Sequence, residues 1–324
     1  MKNFGGRLLS FLLWIGLAVA VPLVAMRWVD TTIGPMVVLQ SVLPLAGIPV
    51  ALVLVPALLT RRWTITAAAG VLLTVCAVVA APSVIGNTVA PGSDDFVVMS
   101  ANLRYGSADA QSVVSAVREH RVDVLVLLEI TPAAVERLRG AGLDVLLPET
   151  VGQSIDGSLG VVVRGRFPMT LAEPISVPRP GDIPAEAAYQ PVVTLHRASG
   201  DVALRAVHSQ TPLLTGAEVW RAGLADLQTW RERQPSDKPL VMAGDFNSSW
   251  GHPGFRGIAE TMTDAHRAAG EGWVRTWPQG RRLIRPFVQL DHVLVRGLSV
   301  VEAGVVTLPN TDHAAVWARL SPHA

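Results

Sequence analysis

The sequence predicts an α/β or α+β layered domain preceded by three transmembrane helices. Three observations lead there. Three uncharged apolar runs lie within the first 93 residues. Later, strand-length apolar runs alternate with helical periodicity, and a polar residue closes nearly every one of those strands. The chain has 324 residues, 50% of them hydrophobic and only 16% charged, below the quarter usual for soluble domains. The excess is concentrated at one end. Residues 1–93 hold five basic residues (Lys2, Arg7, Arg27, Arg61, Arg62) and one acid, Asp30, which leaves 22 basic against 25 acidic residues, net −3, in the remainder. A disordered chain is excluded, as is a disulfide-built scaffold, because the only cysteine, Cys76, sits in an apolar run. A strongly basic nucleic-acid binder is not supported.

Leu8 to Met26 is uncharged for 19 residues, enough for a helix to cross roughly 30 Å of hydrocarbon. A second uncharged stretch runs between Asp30 and Arg61, and a third between Arg62 and Asp94. A cleaved signal peptide would account only for the first. Lys2 and Arg7 flank the first span and Arg61–Arg62 fill the turn between the second and third, so the positive-inside rule places the amino terminus in the cytoplasm and residues 94–324 outside. No ionisable residue lies within the spans, which argues for an anchor rather than a transporter. The expected organisation is a membrane anchor over 1–86, a linker over 87–93 with Pro91 and Gly92, and a domain over 94–324. Residues 1–86 would make the lipid bilayer the first partner.

In the outer domain, Phe96–Ala101 leads to Asn102, Val122–Leu128 to Glu129, Val202–Val207 to His208, and Leu240–Gly244 to Asp245 and Asn247. Leu290 and Val293–Val295 bracket Asp291–His292, and Ala314–Leu320 follows Asp312–His313. Ala108–His120, Pro132–Leu138 and Gly216–Arg233 read as helices, the last with Trp220, Leu224, Leu227 and Trp230 as an apolar stripe for the core. Strand ends put side chains on a rigid frame where loops leave a sheet. One Asp or Asn there usually starts a turn, but carboxylates, carboxamides and imidazoles at six such places form a pattern. Asn, Glu and Asp offer oxygen ligands for a hard cation such as Mg²⁺, and His with Asp can make an oriented general base. Without thiols or a His-x-x-x-His pair, a soft Zn²⁺ or Cu site is not indicated.

The stretches Ser100-Ala101-Asn102-Leu103, Leu127-Leu128-Glu129-Ile130, Val207-His208-Ser209-Gln210-Thr211-Pro212, Gly244-Asp245-Phe246-Asn247-Ser248, Leu290-Asp291-His292-Val293-Leu294 and Thr311-Asp312-His313 occur in this order. Together they resemble the endonuclease/exonuclease/phosphatase (DNase I-like) superfamily, in its membrane-anchored bacterial branch. The resemblance implies a four-layer α/β sandwich of two β-sheets flanked by helices. It also implies in-line attack of water on a phosphate ester with a divalent metal, usually Mg²⁺, with Mn²⁺ as the alternative. It makes Glu129 the main metal ligand, with Asn102 and Asp312 beside it. His313 becomes the imidazole at the scissile phosphate, oriented by Asp291. Asp245 positions the attacking water or transfers its proton, Asn247 holds a phosphate oxygen, and His208 is a second donor to the phosphoryl group.

Two departures stand out. DNase I-like nucleases carry an upstream glutamate that orients the residue matching His208. Here Asp156 is the only acid in Gln153–Arg166. His292 stands where many relatives have tyrosine and is expected to face the core or the pocket wall. Asp264 is expected to cap a helix and Trp277-Pro278 to pack. His120, His196, His252, His266 and His323 are expected to be surface or structural residues. For the substrate, a lipid head group, nucleic acid or small phosphoester are all compatible. The negative domain lowers the nuclease reading, and its densest basic cluster is Arg281, Arg282 and Arg285, expected to be a solvated loop. A phosphodiesterase and a phosphomonoesterase both stay open, against a catalytically silent binding or scaffold module. No protein partner is inferable.

Overall fold

The computed structural model describes residues 2–173, 190–213 and 216–322, so His323 lies outside the described residues. Four helices come first: α1 (Lys2–Ala25), α2 (Gly34–Ser41), α3 (Gly47–Leu59) and α4 (Trp63–Ala80). The expectation of three spans is corrected: only two helices among the described residues are candidates by length and composition. Phe4–Trp28 and Trp63–Ser83 are long and apolar enough to cross a bilayer, whereas Gly47–Leu59, at 13 residues, is shorter than a span needs. The second uncharged stretch is broken because Gly34-Pro35 opens a new helix at α2 and Pro44 opens a separate 3₁₀ turn before α3. Buried Gln40 closes that break, its amide donating to the carbonyls of Met26 and Val29. Arg62 donates to the carbonyl of Gly6 at 2.6 Å, so the Arg61–Arg62 turn and the start of α1 lie at one end of the bundle.

Two six-stranded sheets follow. The strands of the first are β1 (Phe96–Asn102), β2 (Val124–Leu128), β3 (Glu149–Gln153), β4 (Val161–Gly165), and, after the second sheet's strands in the chain, β11 (Leu298–Thr307) and β12 (Ala314–Pro322); the second holds β5 (Met169–Leu171), β6 (Val192–Leu195), β7 (Val202–His208), β8 (Leu240–Asp245), β9 (Thr263–Asp264) and β10 (Asp291–Arg296). Their orders are β11-β12-β1-β2-β4-β3 and β5-β6-β7-β8-β10-β9. β1 with β2 and β7 with β8 pair in parallel, the other ladders being antiparallel. The remaining helices are α5 (Ala110–Glu119), α6 (Pro132–Gly140), α7 (Leu143–Leu146), α8 (Ala217–Arg233), α9 (Pro253–Ala259) and α10 (Ala265–Ala269).

Alternation along the strands builds the layers. Phe96 and Val98 of β1, Val124, Val126 and Leu128 of β2, Leu204 of β7, Val241 of β8 and Val293 of β10 fill the core between the sheets. The opposite parity of the first sheet, Met99, Leu125 and Leu127, packs on Val113, Val117 and Leu138 of α5 and α6. That of the second sheet, Met242 and Leu294, packs on Trp220, Leu224 and Leu227 of α8 and on Phe255 and Ile258 of α9. The result is the two-sheet α/β sandwich with helices outside. Asp264 does cap α10, accepting from the backbone N–H groups of His266 and Arg267. The expected linker is pinned to the sandwich, Asn87 N–H donating to Ala268 and Val89 N–H to Val300.

Candidate active site

The parity that fills the inter-sheet core also assembles the polar cluster. Asn102, His208, Asp245 and Asp291 continue the inward-facing rows of β1, β7, β8 and β10, and each occupies the strand end where the two sheets lie closest to loops. Register places His208 opposite Asp245 and Asp245 opposite Asp291, so three functional groups stand side by side on neighbouring strands. His292, one residue out of phase, faces the helical side and bonds Asp264 at 2.9 Å, the core position expected as one of its two alternatives. Two backbone contortions hold the cluster close. Gly244 has φ +151°, and a Cβ there would meet the carbonyl oxygen of Val207 at 1.8 Å. Glu129 and Asn247 adopt left-handed φ values of 53° and 45°, a strained conformation taken up just where the chain leaves β2 and β8.

His313 is the centre of the cluster. Its Nδ1 lies 2.8 Å from Asp291 Oδ2 and its Nε2 lies 3.7 Å from Asp245 Oδ2. Burial alone would push the imidazole pKa down, but the adjacent Asp291 and Asp245 more than reverse this and raise it to about 10. Asp245 moves up to about 6, because burial and the neighbouring Asp291 outweigh the attraction of His313. At neutral pH the pair is therefore a protonated imidazole beside an ionised carboxylate that can still take a proton.

Glu129, Asn102 and Asp245 form a second line. The Asn102 amide donates to Glu129 Oε1 at 3.1 Å and to Asp245 Oδ2 at 3.3 Å, while its oxygen accepts from the Arg104 N–H. Tyr105 N–H donates to Glu129 Oε2. Burial raises the Glu129 pKa, and these two hydrogen bonds only partly offset it. His208 Nε2 is 3.7 Å from Glu129 Oε1, and burial lowers the pKa of its ring. The Asn247 amide donates to Ser209 O at 2.8 Å, and its N–H caps Asp245 Oδ1. Asp312 is partly exposed, 3.9 Å from Arg104 Nε. Glu129, His208, Asp245, Asn247, Asp312 and His313 all line one cavity of about 990 Å³.

Two supporting hydroxyls were given no role in the sequence reading, although Thr311 stands in the Thr311-Asp312-His313 stretch. Thr276 Oγ1 accepts from the N–H groups of Leu290 and Asp291, and its carbonyl accepts from Ala314 N–H, so one buried threonine fixes the starts of β10 and β12. Thr311 Oγ1 donates to Asn102 O and accepts from His313 N–H. A hydroxyl next to a motif carries no periodicity, so no pattern could have found either. Trp277 lines the cavity rather than only packing.

The sequence model of the Endonuclease/Exonuclease/phosphatase family matches residues 99–313. The chain belongs to this family. It is a phosphoric ester hydrolase of that family. Humanized D. rerio TDP2 carrying 14 mutations is similar in structure, with a TM-score of 0.56 at 15% identity over 71% of this chain and 100% of that one. D. rerio TDP2 complexed with single strand DNA product gives 0.56 at 14% identity over 71% and 100%. An endonuclease/exonuclease/phosphatase family protein from Bacteroides thetaiotaomicron gives 0.55 at 15% identity over 71% and 98%. At these identities the likeness is one of fold. No curated protein matches the chain.

Endonuclease/exonuclease/phosphatase enzymes depend on a divalent metal, and the donors here fit one. Glu129 and Asp312 are hard oxygen donors on the wall of a single cavity, and burial raises the pKa of the Glu129 carboxyl, a shift that a cation bound there would oppose. Among the described residues, the tightest group of ligand-type side chains is Asp245, Asp291 and His313, with ligand atoms within 4.8 Å. There both imidazole nitrogens already face carboxylates, an arrangement suited to moving protons more than to holding a hard cation.

Proposed function

We propose that this chain is a membrane-anchored phosphodiesterase of the endonuclease/exonuclease/phosphatase family's membrane-anchored bacterial branch, hydrolysing its substrate by in-line attack of water outside the cytoplasmic membrane. The observation that carries the chemistry is His313 set between Asp291 and Asp245. Glu129, with Asn102 and Asp312, would hold the metal, and Mg²⁺ suits these ligands, with Mn²⁺ as the alternative. When bound, it supplies charge neutralisation to an anionic phosphate that otherwise repels a nucleophile.

The residues divide the remaining work. Ionised Asp245 accepts a proton from the attacking water as the new P–O bond forms. Protonated His313, oriented by Asp291, donates to the phosphoryl oxygens and gives its proton to the leaving oxygen as the opposite P–O bond breaks. Asn247 holds a phosphate oxygen, and its bonds to Ser209 and Asp245 fix its plane. His208 is a second donor, kept beside Glu129.

The anchor is supported by apolar faces left uncovered. Only 22% of the most apolar window of Phe4–Trp28 and 11% of that of Trp63–Ser83 are buried, unlike core helices. The Arg61–Arg62 turn lies beside the start of α1, so α1 and α4 both start from one basic end and the shorter α3 returns the chain between them, an arrangement that supports a cytoplasmic amino terminus and an extracytoplasmic catalytic domain. Residues 1–86 then serve as the anchor, 87–93 as the linker and 94–324 as the catalytic domain. Two experiments test this. The full-length protein should hydrolyse bis-p-nitrophenyl phosphate with Mg²⁺ or Mn²⁺ and lose turnover with EDTA or His313→Ala. Hydrolysis surviving both controls rejects the mechanism. Protease added to spheroplasts should digest the catalytic domain, and full protection overturns the topology.

A further inference from the structure

α2 lies outside the family match at 99–313, yet it is built into the sandwich. Val37 is 1% exposed and belongs to the core cluster of Trp220, Phe246 and Phe255. Its carbonyl is bonded to His252 Nε2 at 2.9 Å. The Gln40 carbonyl comes so near Gly251 that a Cβ there would stand 1.8 Å from it. An anchor segment is thus seated against the loop that starts at Asp245 and Asn247.

The neighbouring residue does something different. Val38 is 46% exposed and, with Val37 and Ser41, lines the same cavity as Glu129, Asp245 and His313. Leu159, Leu213 and Phe287 extend that apolar wall, Leu213 being 63% exposed at the rim. The cavity therefore has a polar floor, where the phosphate reacts, and an apolar side supplied in part by the anchor. Arg281 is the single Lys or Arg among its described lining residues. A nucleic-acid strand, with a charge at every nucleotide, calls for several. The loop continues directly to the bundle, where Ser249, Trp250 and Gly251 share a second cavity with Val24, Cys76 and Val79 of the two bilayer-length helices.

We infer that the substrate is a phosphate ester carrying an apolar chain, and that α2 is the wall along which this chain lies; the inference rests on the phosphodiesterase reading above. The phosphate sits over the polar floor while the chain runs past Val38 towards the helix bundle. Val38 is a specificity-determining residue, supplied from outside the catalytic fold.

The test uses the full-length protein in a maltoside detergent and three p-nitrophenyl phosphodiesters, whose second ester group is methyl, hexyl or thymidine 5′. The hexyl ester should exceed the methyl ester in kcat/KM by about tenfold or more, mainly through KM, since each buried methylene contributes roughly 0.8 kcal/mol. Val38→Asp should bring that ratio close to one, and Val38→Leu should preserve it. Equal values for hexyl and methyl, a preference for the thymidine ester, or a ratio unmoved by Val38→Asp would each overturn the inference while leaving the phosphodiesterase intact. Hydrolysis of none of the esters would reject the phosphodiesterase instead. The chain preference would then be read as binding, from quenching of tryptophan fluorescence by the same esters, with the same two outcomes.

Discussion

The ring of His252 joins the sandwich to α2: its Nε2 is 2.9 Å from the carbonyl of Val37, while its Nδ1 accepts from the Ser249 N–H at 2.9 Å. Both nitrogens are committed, one as donor and one as acceptor, so a second proton would set two donors against each other. Burial pushes the pKa down to about 4, from an unfolded value near 6.5. Between these values the unfolded chain binds more protons than the folded one. Stability from this group is therefore fully present above about pH 6.5 and is lost as pH falls towards 4. The difference corresponds to about 3 kcal/mol. Thermal melts of the full-length protein across this window should show a decline that flattens in His252→Gln; parallel slopes for the two proteins would remove His252 from the titration.

Asp264 and His292 are both fully buried, 2.9 Å apart, and Asp264 also accepts from Trp250 Nε1. Burial alone would raise the Asp264 pKa, but the His292 hydrogen bond and charge hold it well below the usual carboxylate range. Its stabilisation is therefore present above the unfolded value near 4 and disappears as pH falls further. Asp264→Asn should cost about 3–5 kcal/mol, measured by urea unfolding at neutral pH. A loss below 1 kcal/mol would mean the pair contributes packing only.

Glu129→Gln removes a charge from the metal donors while keeping their shape. The expected result is a rise in the Mn²⁺ concentration needed for half-maximal turnover of roughly 100-fold or more, at or above the upper end of the ~10–100-fold seen when outer partners of a metal site are changed. Calorimetric titration with Mn²⁺ provides a reading independent of turnover. Unchanged Mn²⁺ binding would take Glu129 out of the metal site.

Thr276 acts through Asp291 and not on the substrate. Thr276→Val leaves the N–H groups of Leu290 and Asp291 without their acceptor, which costs about 1–3 kcal/mol for each group that stays buried. The kcat should drop by about tenfold with little change in KM, because Asp291 no longer holds His313 in place. Thr276→Ser should restore it. A variant that raises KM alone would refute this positioning role.

Much of the catalytic cluster was legible because the strands advertise it. Val202, Leu204 and Ala206 alternate into the core, and the same period lands His208 beside Asp245; residues one step out of phase, such as His292, fall on the helical face. The edge strands β3 and β5 were not legible, since short, partly exposed segments such as Glu149–Gln153 carry little alternation. The second apolar stretch misled for a related reason. Hydropathy reports that Val37 and Gln40 lie in an apolar run but not that this run turns at Gly34-Pro35 and buries itself in the sandwich. His252 was expected to be a surface or structural residue; the structure buries it, and its partner at Val37 is set by tertiary packing and has no local sequence signal.

Phe246 stands between Asp245 and Asn247 but is wholly buried on the far side of the sheet, edge-on to Phe255 and to His292. Consecutive side chains of one strand end thus face the candidate site and the helix-covered core by turns. Loosening Asp245 by heat is therefore expected to accompany release of Phe246 from its aromatic neighbours, so that loss of activity on warming, and its return on cooling, should follow the opening and closing of that core.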